Sequence, residues 1–282
     1  MRLALLDEEF EASANALLSE GMPVVVLKGM DLGRRYYEER LQRPMTDVDL
    51  LVPTQELGRA VEILSRKGFK KIGPHPSGRI RVEMARNEES PAVELHHRLL
   101  SGDSEHWLRG IWRRADQVRI PGIRGTLRVL SPEDQIVYLI RHAAVQHLLE
   151  SPIWLKDIQL VIENAKSLDW VSIASELRGS RSCAAGLLVL SMLKREGGVY
   201  VPDRAIWQLC KGLSRTRRRA IEAMATKAIW FDPSRKGYFD VLRRRFLLRD
   251  SWLEAIAYAL WAFREHGGET LSVAIRGRKM DH

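Results

Sequence analysis

Between residues 3 and 20 apolar positions recur at helical spacing, with Leu6, Phe10, Leu17 and Leu18 on one side and Gly21 where the helix should stop. Pro23 then opens Val24–Leu27, a continuous run rich in β-branched residues that predicts a buried strand. Lys28-Gly29 closes that run, and residues 30–40 return to a helical period. A turn region, Leu41–Thr46, includes Pro44 and leads into Asp47-Val48-Asp49-Leu50-Leu51-Val52, a second short strand. Pro53-Thr54 ends it, with Thr54 placed to cap a helix over 55–67 and Gly68 to stop that helix. Over Arg79–Ala85, Ile80, Val82 and Met84 alternate with Arg79, Arg81 and Glu83; Asn87–Ser90 reads as a turn, and Ala92–Leu99 as the strand after it. A helix near 104–114 and two short strand-like pieces around Pro121-Gly122 follow. The pattern changes at Ser131-Pro132-Glu133-Asp134, which combines a capping Ser, a Pro at the first helical position and acids in the first turn. Everything beyond has a helical period, including 133–149, 153–166, 170–178, 182–195 and 216–229.

These elements predict an α+β chain. Strands and helices mix over residues 1–125, N-terminal helix included, and an α-helical domain occupies 126–282. The length of 282 residues suits two domains, and 45% apolar residues are enough for a real core. Asp7, Glu8, Glu9 and Glu11 stand where a secretory signal would need an apolar segment, and apolar runs such as Ala184–Leu190 are too short to span a bilayer. Two cysteines, Cys183 and Cys210, cannot form a disulfide framework and include no CxxC pair, so a reduced, cytoplasmic protein with no membrane partner is expected. Charge is uneven: residues 1–180 carry 25 Lys/Arg against 26 Asp/Glu, whereas 181–282 carry 20 against 10. That basic third suits either a solvated helix surface or a polyanionic partner such as nucleic acid.

The chemistry concentrates at Asp47-x-Asp49. On a strand, side chains two apart share a face, so both aspartates project together while Val48, Leu50 and Val52 point the other way. Adjacent carboxylates repel unless a hard divalent cation resolves them. Deleting the charge of Asp49 is therefore expected to leave the metal-free fold intact and slightly more stable. Glu94, in the alternating run Ala92-Val93-Glu94-Leu95-His96, is the natural third ligand, with His96 on its side of the strand. Three such carboxylates can hold the metal ions of a phosphoryl-type transfer. His96 and His97 point to opposite faces, so they do not pair readily as zinc ligands.

Three blocks in order, Val26-Leu27-Lys28-Gly29, Arg43-Pro44-Met45-Thr46-Asp47-Val48-Asp49-Leu50-Leu51-Val52 and Val93-Glu94-Leu95-His96, resemble the bacterial uncharacterised nucleotidyltransferase family of the DNA polymerase beta-like superfamily. The resemblance spans roughly residues 20–170, more weakly beyond, and implies a small mixed sheet flanked by helices, with the metal carboxylates on adjacent strands. It implies transfer of a nucleoside monophosphate from a nucleoside triphosphate, with Mg²⁺ or Mn²⁺ held by Asp47, Asp49 and Glu94, and release of pyrophosphate. The superfamily's usual Gly-Ser turn is here Lys28-Gly29-Met30, which lacks the Ser; Lys28 and Gly29 then face the triphosphate, with the Lys28 ammonium neutralising phosphate charge. Arg43 either contacts phosphate or braces its own loop through Asp47. In Trp154-Leu155-Lys156-Asp157-Ile158, analogy with nucleotidyltransferase-type toxins makes Lys156 a triphosphate contact and Asp157 a base or metal support, both facing the carboxylates from a helical wall of the cleft. His142 is a further candidate for that cleft.

Three readings compete. The first is an enzyme acting on an unidentified acceptor: small molecule, peptide, protein or RNA. The second is a nucleic-acid-binding or regulatory module on a degenerate fold, resting on basic residues between 215 and 279: Arg215, Arg217–Arg219, Arg243–Arg245, Arg276, Arg278 and Lys279. The third is a toxin-type enzyme acting on tRNA. Retention of all three carboxylates ranks enzyme first.

Overall fold

The computed structural model describes residues 2–72, 80–100, 103–147, 149–226, 244, 246–253 and 256. Among them are ten α-helices and a seven-stranded mixed sheet, the expected α+β class. Helix α1 (Arg2–Ser19) buries Leu6, Phe10, Ala14 and Leu17 and gives way to Gly21, whose φ of 73° is the left-handed turn that glycine takes without strain. Strand β1 (Val25–Val26) is followed at once by α2 (Lys28–Arg35), so Lys28-Gly29 opens a helix instead of merely closing a strand. Strand β2 (Asp47–Leu51) carries the D-x-D pair. Thr54 does not cap α3 (Leu57–Arg66): residues 54–56 form a 3₁₀ turn, and the Thr54 hydroxyl donates to the carbonyl of His97.

Strands β3 (Lys70–Lys71), β4 (Arg81–Ala85) and β5 (Ala92–His96) follow. Arg79 lies outside the described residues, and β5 ends at His96, short of the expected Leu99. Helix α4 (Glu105–Arg114) is capped by Ser104, and β6 (Asp116–Val118) and β7 (Leu127–Val129) complete the sheet. The strand order is β3-β4-β5-β2-β1-β7-β6. Strand β2 runs parallel to β5, with Asp47, Asp49 and Leu51 opposite Ala92, Glu94 and His96, and antiparallel to β1. One face of this sheet is apolar: Val48, Leu50, Val52, Val82, Met84, Val93 and Leu95 are buried in one core with Phe10 and Leu17 of α1 and Ile63 and Leu64 of α3. Each such side chain contributes roughly 1.5–3 kcal/mol, which holds β2 and β5 in register and commits their alternate residues to the opposite face.

Helices α5 (Pro132–Arg141), α6 (Ile153–Asn164), α7 (Trp170–Gly179), α8 (Cys183–Glu196), α9 (Asp203–Cys210) and α10 (Arg215–Met224) follow. Ser131 accepts from the Asp134 amide and so caps α5 as its sequence predicts. The π-helical turn His142–Gln146 interrupts the expected run 133–149. Strand β3, two residues long, was not foreseen, and α9 lies in the stretch read as helical without bounds of its own. The chain forms two compact units: 1–139 with 153–173, and 140–152 with 174–282. The division is therefore discontinuous, unlike the single boundary expected near 125. Most of α5 and all of α6 belong to the sheet unit, because burial follows contact and not order along the chain. Among the described residues, no helix is long and apolar enough to cross a membrane.

Candidate active site

The polar face of β2 and β5 carries the acidic residues of both motifs. Parallel register sets Asp49 directly beside Glu94, and Asp47 lies two residues earlier on the same face of β2. His96, two residues beyond Glu94, turns its Nε2 to Asp49 Oδ1 at 2.9 Å and to Glu94 Oε2 at 3.1 Å. Ligand atoms of Asp49, Glu94 and His96 all lie within 4.8 Å of one another; Asp47 stands outside this tight group. His96 is thus a full member of the cluster and Asp47 a flanking one. The sequence assigned the opposite weights because alternation reports a shared face but not the distance across it.

Lys28, the first residue of α2, donates to Asp49 Oδ1 at 2.6 Å and stands 3.9 Å from Glu94 Oε2. Its φ of 45° is left-handed, a conformation uncommon outside glycine. Arg81 of β4 adds a second cation, 3.3 Å from Glu94 and 3.0 Å from Glu83. Arg81 was not foreseen as a site residue, although its alternation with Ile80, Val82 and Met84 was the available signal. Tyr138 of α5 lies against the Lys28 ammonium.

The electrostatics follow from these contacts. Burial would raise Asp49, but Lys28 and the His96 hydrogen bond override it and hold its carboxyl well below the usual range. Asp47 is half-buried, and desolvation together with repulsion from Asp49 and Glu94 pushes it up to about 6. Burial disfavours the charged form of Lys28, yet Tyr138, Asp49 and Glu94 outweigh it and hold the ammonium above the ordinary lysine value. Burial likewise opposes charge on His96, and its hydrogen bonds to Asp49 and Glu94 reverse the balance, raising its pKa.

Gly29 and Gly33 serve packing. A Cβ on Gly29 would meet Met45 Cβ at 3.0 Å, and one on Gly33 would meet Met45 Cε at 3.2 Å. Glycine here lets the segment before β2 close on α2, and Met45 fills the side-chain face of Gly29. Arg43 is buried and points its Nε at both carboxylate oxygens of Asp157, at 2.9 and 3.0 Å, with its guanidinium 5.7 Å from the Trp154 ring. Tyr37 donates to Asp157 at 2.8 Å. Arg43 therefore braces its loop through Asp157, where the sequence suggested phosphate or Asp47. Asp157 is fully buried and held by Arg43 and Tyr37, where the sequence suggested a base towards the acceptor or a support for the metal site; burial raises its pKa despite Arg43. Lys156, its neighbour on α6, is exposed. His142 is buried in the second unit, its ring 4.5 Å from that of His147.

Whether these residues fit a divalent ion turns on His96. Facing two carboxylate oxygens, Nε2 carries a proton, and the buried Nδ1 has no hydrogen-bond partner among the described residues. A ligating histidine presents one deprotonated ring nitrogen to the metal and usually donates its other N–H to a carboxylate, a carbonyl or water. In the metal-free protein His96 therefore faces the carboxylates as a donor, its ligand atom close enough to those of Asp49 and Glu94 to share an ion, and the carboxylate oxygens beside it are the donor type that Mg²⁺ or Mn²⁺ favours.

A family model described as an uncharacterised nucleotidyltransferase matches residues 1–195. The curated proteins contain no sequence match. Among solved structures, the chain is similar to the antibiotic-resistance factor ANT(2'')-Ia, at 14% identity and TM-score 0.45 over 66% of this chain and 96% of the other. It is also similar to an antigenic nucleotidyltransferase-like protein from Paracoccidioides brasiliensis, at 12% identity and TM-score 0.47 over 72% and 92%. ANT(2'')-Ia in complex with adenylyl-2''-tobramycin gives 14% identity and TM-score 0.44 over 64% and 98%.

Proposed function

Because the chain belongs to the uncharacterised nucleotidyltransferase family, we propose that it is a metal-dependent enzyme moving a nucleoside monophosphate from a nucleoside triphosphate to an acceptor, with release of pyrophosphate. The observation that carries this reading is the register of β2 against β5, which sets Asp49 beside Glu94 with Asp47 on the same face. Asp47, Asp49 and Glu94 would hold Mg²⁺ or Mn²⁺, which when bound neutralises triphosphate charge and activates an acceptor oxygen. His96 and Arg81 orient the carboxylates through Asp49 and Glu94. Lys28 substitutes for the absent Ser of the superfamily turn, its ammonium neutralising phosphate charge. Arg43, Tyr37 and Asp157 act as positioning residues, fixing the loop that leads into β2.

The acceptor class stays open among small molecules, peptides, proteins and RNA. Two of the basic residues that suggested nucleic acid are turned inward: Arg217 donates to the carbonyls of Arg249 and Phe246, and Arg244 to that of Leu149. Arg243, Arg245, Arg276, Arg278 and Lys279 lie outside the described residues. With Cys183 and Cys210 both free thiols, the proposed compartment is the cytoplasm. The test is transfer of label from α-³²P-NTP to acceptor pools or to the protein itself. Label should appear only with divalent ion and disappear in Asp49→Asn. Undiminished labelling in a folded Asp49→Asn protein would place the chemistry elsewhere.

A further inference from the structure

Lys28 occupies the ground that a divalent ion needs. Its Nζ is 2.6 Å from Asp49 Oδ1 and 3.9 Å from Glu94 Oε2, so it stands against the two neighbouring carboxylates that would share a metal. The same Asp49 oxygen also meets His96 Nε2 at 2.9 Å, and Glu94 Oε2 meets His96 at 3.1 Å and Arg81 at 3.3 Å. Nitrogen donors therefore already meet Asp49 Oδ1 and Glu94 Oε2. A metal ion bound to carboxylate oxygen at ~2.1 Å would lie within a few ångströms of the ammonium, and two cations at that spacing exclude one another. Lys28 starts α2 in a left-handed backbone conformation, and its side chain is only 13% exposed. Its flexible stem lets the ammonium move without shifting that backbone.

Taking the metal-carboxylate reading above as its basis, we propose that Lys28 is a built-in counter-cation: it holds Asp49 and Glu94 together in the metal-free protein, and a divalent ion enters only as the Lys28 ammonium leaves Asp49. Lys28 then acts with opposite sign on the two ligands. It weakens binding of the metal alone, and once displaced it strengthens binding of the metal-bound triphosphate by adding a positive charge beside it. A lysine that only supported the fold would weaken both when removed.

The experiment is Mn²⁺ binding to the full chain without nucleotide, read from the electron paramagnetic resonance of free Mn²⁺, for the wild type, Lys28→Met and Lys28→Arg. Lys28→Met should bind Mn²⁺ about tenfold or more tightly than the wild type, and Lys28→Arg, which keeps the cation, should not. Equal or weaker binding by folded Lys28→Met overturns the counter-cation while leaving the metal site standing. Absence of Mn²⁺ binding in all three at millimolar concentration overturns the metal site and this inference with it. A measurement on the wild type alone covers a variant that fails to fold. Acetylation of Lys28 by acetic anhydride, followed by mass spectrometry, should rise severalfold when Mn²⁺ saturates the site; unchanged or reduced labelling at saturation counts against displacement.

Discussion

Asp47 and Asp49 are chemically identical and two positions apart, yet their surroundings give them opposite energetics. Asp49 is buried against Lys28 and His96, so its ionised form stabilises the fold. A carboxyl depressed in the folded state adds stability above its unfolded pKa, and that stability is lost as pH falls through the folded value. Asp49→Asn at pH 8 leaves a buried ammonium without its nearest carboxylate and should cost on the order of 3 kcal/mol. The sequence suggested the reverse, a slight gain from relieved repulsion; that repulsion belongs to Asp47. Its carboxyl, pushed up to about 6, holds a proton that the unfolded chain has already released between pH 4 and 6. Its contribution therefore declines as pH rises through that window, and above it the ionised form is a net cost. Asp47→Asn should stabilise the metal-free protein by ~1 kcal/mol at pH 8, after allowance for solvent screening, and the gain should vanish towards pH 4. Urea melts of both variants at pH 8 and pH 5 test the pair; destabilisation by Asp47→Asn at pH 8 would contradict the assignment.

Helix α2 and the segment before β2 depend on each other. Gly29 and Gly33 admit Met45, and Arg43 ties the same segment to α6 through Asp157, with Tyr37 as second donor. These contacts set where β2 begins, and so where Asp47 stands. Asp157→Asn keeps the shape but removes the charge facing the buried Arg43 guanidinium, at a cost of about 3 kcal/mol. Tyr37→Phe removes one hydrogen bond and leaves an aromatic ring, at roughly 1 kcal/mol. A double-mutant cycle in urea should give a combined loss smaller than the sum, because the hydrogen bond deleted by Tyr37→Phe is to the carboxylate that Asp157→Asn changes. Strict additivity would mean that the Tyr37 hydrogen bond is as strong to the amide of Asp157→Asn as to the carboxylate. If turnover falls in Asp157→Asn, the change should sit in kcat and follow loosening of the loop, since Asp157 is buried under Arg43 and Tyr37.

Nucleotide and metal together should act on the protein as a ligand specific to the folded state. At a hundredfold excess over its Kd, such a ligand stabilises by about 2.7 kcal/mol. We expect Mg²⁺ with a nucleoside triphosphate to raise Tm, Mg²⁺ alone to raise it little, and triphosphate without metal to do least. Thermal melts across the four common triphosphates would also report base preference. If none shifts the melt at millimolar concentration with Mg²⁺, the reading of a fold that has lost its catalysis gains ground.

Alternation was legible without a structure. Val48, Leu50, Val93 and Leu95 on one side, and Asp47, Asp49, Glu94 and His96 on the other, follow from a period of two and the demand that one face be buried. The family motif was legible as well, as was the start of α5, where Ser131 meets its own backbone three residues on. These are local facts, settled by residues close in sequence. What depended on distance through space was not legible. The parallel register of β2 and β5, about 45 residues apart, brings His96 onto Asp49 and leaves Asp47 beside the tight group. Asp157, about 114 residues beyond Arg43, is the partner of that arginine, a contact that its helix did not suggest. Lys28 reads in the sequence as a phosphate ligand, and only the fold adds its contact with Asp49. Side-chain pattern determines which groups share a face, because the backbone period is the same in every strand. Only packing of the whole unit decides which of those groups touch, and contact is what sets their charge and their chemistry.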